Sequence, residues 1–111
     1  MSNQVKFLEP IEVLKKIRTG SAYVVDVREP HEHAQSHIKN VPLMSLSKFN
    51  PKEIKPAENQ LLILHCRSGH RCGIVSDQLI ASGYKGLIYR MSGGLLAWEK
   101  AGLPLETNIT N

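Results

Sequence analysis

The chain reads as an α/β domain on a mostly parallel sheet, and three observations predict it. The first is Leu61-Leu62-Ile63-Leu64, an unbroken aliphatic run that passes through His65 into Cys66 and a polar, cationic turn. A short continuous apolar run closed by turn residues reads as a strand buried on both faces, as in a parallel sheet. The second is alternation: strand-like and helix-like segments take turns along the chain, which implies βαβ units with right-handed crossovers. The third is size. At 111 residues the chain is long enough for one real core and too short for two. The expected organisation is therefore a single domain over residues 1–111, with an ordered core over 5–105 and a frayed tail over 106–111.

Taken in order, residues 5–8 form a possible first strand. Glu9-Pro10 then opens a helix running to Arg18, with proline in its first turn and Gly20 just past its end. Ile11, Leu14 and Ile17 are its expected inward stripe. Residues 22–27, Ala-Tyr-Val-Val-Asp-Val, are β-branched and almost wholly apolar, and make the clearest second strand. Residues 30–38 are polar and carry His31, His33 and His37, so a short helical turn and a loop are expected there. Val41-Pro42-Leu43 fits a brief edge strand, because proline is tolerated at edges. Residues 45–60 are broken by Pro51 and Pro56 and read as a short helix plus a loop. Beyond the central strand, Ile74, Val75, Leu79 and Ile80 mark the inner face of a helix stopped by Ser82-Gly83. Residues 86–90 are the last strand, and Gly93-Gly94 leads into a short helix ended by Gly102 and Pro104.

Composition bounds the function class. The longest apolar runs are a few residues, too short to span a bilayer, and the first residues lack the apolar core of a signal peptide. A cytoplasmic protein is expected. Two cysteines six apart make no disulfide framework, which favours reduced thiols. The net charge of +4 comes from scattered lysines and arginines with no aromatic platform, so it fits solubility and anion capture better than nucleic-acid binding.

The chemistry concentrates at Cys66. Thiolate is the nucleophilic form, and its pKa falls near a helix N-terminus and near cations. Cys66 has a helix about to begin, with Arg67, His70 and Arg71 close by. Gly69 permits positive φ, so that successive N–H groups turn inward as an anion-binding nest. An inert buried cysteine seldom adjoins three such side chains and a glycine, so Cys66 is the candidate nucleophile.

Three motifs carry a family resemblance. Asp26-Val27-Arg28-Glu29, Cys66-Arg67-Ser68-Gly69-His70-Arg71, and Gly93-Gly94-Leu95-Leu96-Ala97-Trp98 with Ala101-Gly102-Leu103-Pro104 resemble the rhodanese, or sulfurtransferase, family in order and spacing. The resemblance implies a five-stranded parallel sheet flanked by helices on both faces. It also implies a ping-pong reaction in which Cys66 takes a sulfane sulfur from a donor such as thiosulfate, becomes a persulfide, and passes the sulfur to cyanide or another thiophilic acceptor. Backbone amides of Arg67, Ser68, Gly69, His70 and Arg71 would cradle the outer sulfur, as an anionic intermediate requires. Arg67 and Arg71 are candidates to hold the sulfonate of a thiosulfate-like donor, or simply to keep the thiolate ionised. Related cell-cycle phosphatases of this fold use a loop one residue longer that ends in arginine. Position 72 here is cysteine, which argues against phosphatase activity. The stretch Ser36-His37-Ile38-Lys39-Asn40-Val41-Pro42-Leu43 is about three residues shorter than the family's usual segment, with serine for its first glycine.

Other residues have plainer readings. Asp26 and Arg28 emerge on the same sheet edge as Cys66, and an ion pair or loop hydrogen bonds anchoring the rim is preferred to a direct role in the pocket. Cys72 reads as a small core residue, with a resolving thiol as its alternative. His65, Cys66, His70 and Cys72 lack the paired spacing of a zinc site, and no metal or other cofactor is expected. Trp98 fits the core, and Gly93-Gly94 a tight strand-to-helix turn. The leading function is sulfur transfer through a Cys66 persulfide, between a small anionic donor and a thiophilic acceptor. The alternatives are a persulfide carrier serving a partner protein, a Cys66/Cys72 dithiol module, and an inactive binding domain.

Overall fold

The computed structural model describes residues 4–107. In chain order its elements are β1 (Val5–Leu8), α1 (Pro10–Arg18), β2 (Ala22–Asp26), α2 (Pro30–Gln35), β3 (Ser36–His37), β4 (Leu61–His65), α3 (His70–Ala81), β5 (Ile88–Met91), α4 (Gly94–Lys100) and β6 (Glu106–Thr107). The main sheet is parallel throughout, in the order β1-β5-β4-β2. β3 and β6 form a separate antiparallel ribbon.

The aliphatic run in β4 is buried on both faces because the sheet is covered on both. Alternation along a strand sends neighbouring side chains to opposite sides. Leu62 and Leu64, with Val25 and Val27, pack against Cys72, Val75 and Leu79 of α3. Ile63 and Val24 pack against Val13 and Leu14 of α1 and against Leu95 and Trp98 of α4. Each such aliphatic side chain contributes about 1.5–3 kcal/mol by leaving water.

α1 begins at Pro10, whose fixed φ suits a first turn, and ends in Lys15, Lys16 and Arg18, which complement the helix dipole. Its buried residues are Pro10, Val13 and Leu14, while Ile11 is 46% exposed and so lies off the expected stripe. A helix turns 3.6 residues at a time, and a face centred between positions 10 and 14 carries Ile11 about a quarter-turn away. α3 shows the same displacement: Cys72, Val75, Ser76 and Leu79 are buried and Ile74 is exposed.

The sheet has four strands instead of five. Val41-Pro42-Leu43 is reduced to one parallel bridge, Leu43 opposite Asp26. Pro42 has no N–H for a ladder and only accepts, from the Asp26 amide. After Leu46 donates to the Val27 carbonyl the chain tightens into two short 3₁₀ turns, Leu46–Lys48 and Pro51–Glu53, where one short helix is expected. At the other end, Glu106 and Thr107 are paired with His37 and Ser36 and are not a frayed end; residues 108–111 of the expected tail lie outside the described residues.

Candidate active site

The β2–β4 register sets Asp26 against His65, so Cys66 follows at the carboxyl edge of the sheet, beside the ends of both strands. Alternation turns His65 toward the α1/α4 face and Cys66 toward α3. The turn into α3 is sharp because Gly69 sits at φ +113°, a conformation costly for a residue with a Cβ. The helix then starts at His70, earlier than the apolar pattern indicates. His70 and Arg71 are therefore its first turn, where N–H groups have no partner within the helix.

Those groups and the thiol meet. The Gly69 N–H donates to Cys66 Sγ at 3.0 Å. The Cys72 side chain, most strongly, and the amides of Cys72 and Arg71 also favour the ionised sulfur. Led by the Cys72 thiol and opposed by burial, these bonds pull the Cys66 pKa from 9.0 down to about 5. Cys72 pays the converse: donation to Cys66 and its own burial push its thiol well up, so it keeps its proton. Hydrogen bonds thus lead in stabilising the thiolate, ahead of the cationic side chains that the sequence also places beside it.

The carbonyls of the same loop face the other way and are held there. Leu95 and Leu96, opening α4, donate their N–H groups to the Cys66 and Arg67 carbonyls at 2.8 and 3.1 Å. Gly94, at φ +61°, makes this contact possible: a Cβ there would lie 2.5 Å from the Arg67 oxygen and 2.6 Å from the Cys66 oxygen. From β5, Arg90 Nη2 donates to the Gly69 carbonyl at 2.8 Å, with its guanidinium 4.8 Å over the Phe7 ring. With acceptors fixed outward, donors are left to converge on sulfur.

Arg71 supplies its amide to the thiol, but its guanidinium is engaged elsewhere. Nη1 and Nη2 reach Glu32 Oε1 and Oε2 at 2.6 and 2.9 Å, a bidentate pair. Glu32 is itself set by the Glu29 N–H, which donates to Oε1 at 3.0 Å at the start of α2. The Arg71 bond holds the Glu32 carboxyl down to about 2. Arg67, Ser68 and His70 are exposed. Arg67 borders a groove shared with Arg28, Glu32, Leu95, Leu96 and Glu99.

Asp26 and Arg28 are buried and paired: Arg28 Nη2 donates to Asp26 Oδ2 at 2.8 Å and to the Ser36 carbonyl at 2.8 Å. Burial opposes ionisation of Asp26, but the Arg28 hydrogen bonds and His65 keep its pKa below the ordinary value. The pair anchors the start of β3 and so fixes the path of the shortened segment. His65, whose buried ring nitrogens have no hydrogen-bond partner and whose Nε2 lies 3.8 Å from Asp26 Oδ2, is lowered by burial to about 4 and is neutral near pH 7. His33 and His37 stack at 4.1 Å, and His37 Nε2 lies 3.2 Å from Glu106 Oε1. Among the described residues, no group of three or more His, Cys, Asp or Glu side chains is arranged to hold a metal ion.

Three contributors escape a reading of the sequence. Glu32 has one signal, its place three residues after Glu29 with Pro30 between them, the pattern of a helix start whose third residue reaches back. Arg90 stands out only as a cation in an otherwise apolar strand. For the proton-donating role of Cys72 there is no signal beyond its distance in sequence from Cys66.

Comparisons with known proteins give the family and the fold. Residues 9–101 match the Rhodanese-like domain family. An uncharacterized protein of Synechocystis, slr1261, is 40% identical over 94 residues, covering 84% of this chain and 52% of that protein. The tRNA uridine(34) hydroxylase of Chlamydia abortus is 30% identical over 110 residues, covering 91% of this chain and 33% of that protein. The chain thus spans about half or a third of the length of these curated relatives. Among solved structures, a thiosulfate sulfurtransferase from Pseudomonas aeruginosa superposes with a TM-score of 0.81 at 21% identity, over 96% of this chain and 21% of that one. A rhodanese-related protein from Thermoplasma volcanium gives 0.77 at 22% identity, over 91% and 97%. At these identities the structural likeness carries the fold, and the match over residues 9–101 carries the family: this chain belongs to the rhodanese-like domain family.

Proposed function

We propose that the domain is a sulfurtransferase that carries a sulfane sulfur as a persulfide on Cys66. The observation that carries this reading is the Gly69 N–H on Cys66 Sγ at 3.0 Å, at the N-terminus of α3, in surroundings led by the Cys72 side chain that lower its pKa to about 5. At neutral pH the nucleophile is then already ionised and needs no general base; His65, the neighbouring imidazole, belongs to the opposite face of the sheet. With thiosulfate, the Cys66 thiolate attacks the outer sulfur, the S–S bond breaks, and its electron pair leaves with sulfite. The product, a persulfide anion, keeps the same donors for its charge. A thiophilic acceptor such as cyanide then takes the terminal sulfur as thiocyanate and returns the thiolate. Asp26 and Arg28 support the rim through their ion pair. The proton held by Cys72, and its complete burial, speak against a resolving role.

Two free cysteines suit a reducing, cytoplasmic setting, and among the described residues no helix is long and apolar enough to cross a membrane. The partners in this reading are a sulfane-sulfur donor and a thiophilic acceptor, with no nucleic acid.

The test is the intact mass of the reduced protein before and after a sulfane donor, with Cys66→Ser and Cys72→Ser alongside. A gain of one sulfur, roughly 32 Da for a persulfide, in the parent and in Cys72→Ser but not in Cys66→Ser is the expected result. A gain that survives Cys66→Ser would overturn the assignment.

A further inference from the structure

We propose that Arg90 is a positioning residue for the sulfur anion: it holds the Gly69–His70 peptide so that the His70 N–H joins the amides directed at the sulfur, and its charge strengthens that donor. The inference deepens the sulfurtransferase reading above, on which it rests for the persulfide, and it adds a residue from β5 that the cysteine loop does not contain.

Strand register sets the geometry. Arg90 stands opposite Phe7 of β1 and Leu64 of β4. Alternation sends its side chain to the same face as Ile88, against α3. There the guanidinium lies 4.8 Å over the Phe7 ring, and Nη2 reaches the Gly69 carbonyl at 2.8 Å. α3 makes room for it: a Cβ on Gly73 would come within 3.3 Å of Nη2. In α1, α2 and α4 the carbonyl before the first turn accepts from the helix's own fourth amide, that of Val13, His33 or Ala97. At α3 the equivalent carbonyl is taken by a side chain from another element. A planar trans peptide points its N–H opposite its C=O. Fixing the Gly69 carbonyl toward β5 therefore fixes the direction of the His70 N–H away from β5. His70 opens α3, so this N–H has no partner within the helix. The amides on either side of it in sequence, of Gly69 and Arg71, both favour the ionised Cys66 sulfur.

The placement of charge points the same way. A cation at a helix N-terminus opposes the helix dipole. The first turn of α3 has no acidic residue, and among the described residues no carboxylate lies at ion-pair distance from Arg90. Its buried Nε also lacks a hydrogen-bond partner, a cost that calls for an explanation in a packed structure. An anion at the same helix end offsets both, and the Cys66 sulfur is there, bonded by the Gly69 N–H at 3.0 Å. Arg90 acts on it through the peptide, because a cationic donor on the carbonyl polarises the N–H at the other end. The same N–H then serves the terminal sulfur when Cys66 carries a persulfide.

The experiment measures the pH midpoint of Cys66 alkylation, with the site assigned by peptide mass, in the parent, Arg90→Met and Arg90→Lys. Arg90→Met keeps a long stem and removes the charge and the donors. It should raise the midpoint by about half to one pH unit, the worth of one ordinary hydrogen bond. Arg90→Lys retains the charge and a donor and should raise it by less. Phe7→Ala alters an exposed residue, leaves Arg90 in place, and serves where Arg90→Met folds poorly; without the ring that seats the guanidinium, the midpoint should rise by a smaller step. An Arg90→Met protein that melts lower but titrates like the parent has lost only packing, which overturns the proposal. An Arg90→Lys midpoint no lower than that of Arg90→Met overturns it as well. Sulfur loading of the same samples by thiosulfate and by glutathione persulfide, read by mass, tests the reading beneath it. A parent that gains sulfur from neither overturns the sulfurtransferase reading, while the midpoints still decide the hold of Arg90 on the thiolate.

Discussion

Removing the Cys72 thiol should release the Cys66 proton later in a pH titration, and the structure sets the scale. The gap between an ordinary 9.0 and about 5 is worth about 5 kcal/mol of preference for the thiolate. It is supplied by the Cys72 S–H first and then by the Cys72, Gly69 and Arg71 amides, against the burial of the sulfur. A hydrogen bond to a charged group contributes about 1.5–3 kcal/mol. Cys72→Ala should therefore raise the midpoint by about 1 to 2 pH units, while Cys72→Ser, which keeps a donor at the same place, should move it less. The assay is the pH dependence of alkylation of Cys66 by iodoacetamide, checked against thiolate absorbance in the ultraviolet. Cys66 and Cys72 are both buried, so the modified site is assigned by peptide mass, with Cys66→Ser as the control. A Cys72→Ala protein that titrates like the parent would show that the amides and loop field suffice. Equal displacement by alanine and serine would show that packing, and not proton donation, is what Cys72 contributes.

Two further tests address the scaffold. Gly94→Ala places a Cβ 2.5 Å from the Arg67 oxygen and imposes positive φ on alanine, so the loop must retreat from α4. The melting temperature should fall by on the order of 10 °C, for a cost of about 2 kcal/mol, and the alkylation midpoint should rise; a variant unchanged in both would mean that the loop is not held by α4. For His65 the folded pKa, about 4, lies below the ordinary 6.5. The unfolded chain then takes the proton first, so the stability His65 contributes is complete above pH 6.5 and is lost as pH falls toward 4. Relative to His65→Gln, the parent should lose about 2 to 3 kcal/mol between pH 7 and pH 4.5 in urea titrations. Parallel curves for the two proteins would place the His65 ring in water when folded.

Strands and their order of burial were legible because parallel strands covered on both faces are written as plain aliphatic runs, and 61–64 is such a run. The fifth strand was not, because Val41-Pro42-Leu43 has strand composition but one of its three residues lacks the N–H a ladder needs, and the chain leaves after one bridge. Helix existence was legible and helix faces less so: Ile11 and Ile74 are apolar, and the periodic pattern does not say which apolar residues the sheet reaches. At the site, Cys66, Gly69 and the turn into α3 were legible, because only glycine readily takes the required φ and a thiol at a strand end before a helix meets free amides.

Charge at the site was the part most easily misjudged. Arg67, His70 and Arg71 beside a cysteine look like three reasons for a low pKa, and a sequence cannot show that one of them is already spoken for. Arg71 lies 39 residues from Glu32, on a different element, and their meeting depends on how α2 is seated by Glu29 and how α3 leaves Gly69. A cation's effect on a site depends on what else it touches, which is a property of the packed structure. The backbone amides, by contrast, belong to every residue, and Gly69 before a helix start is the signature of where they turn inward to the sulfur. They can do it because α4 and Arg90 hold the loop's carbonyls outward. The reactive face of this loop is thus determined by its back.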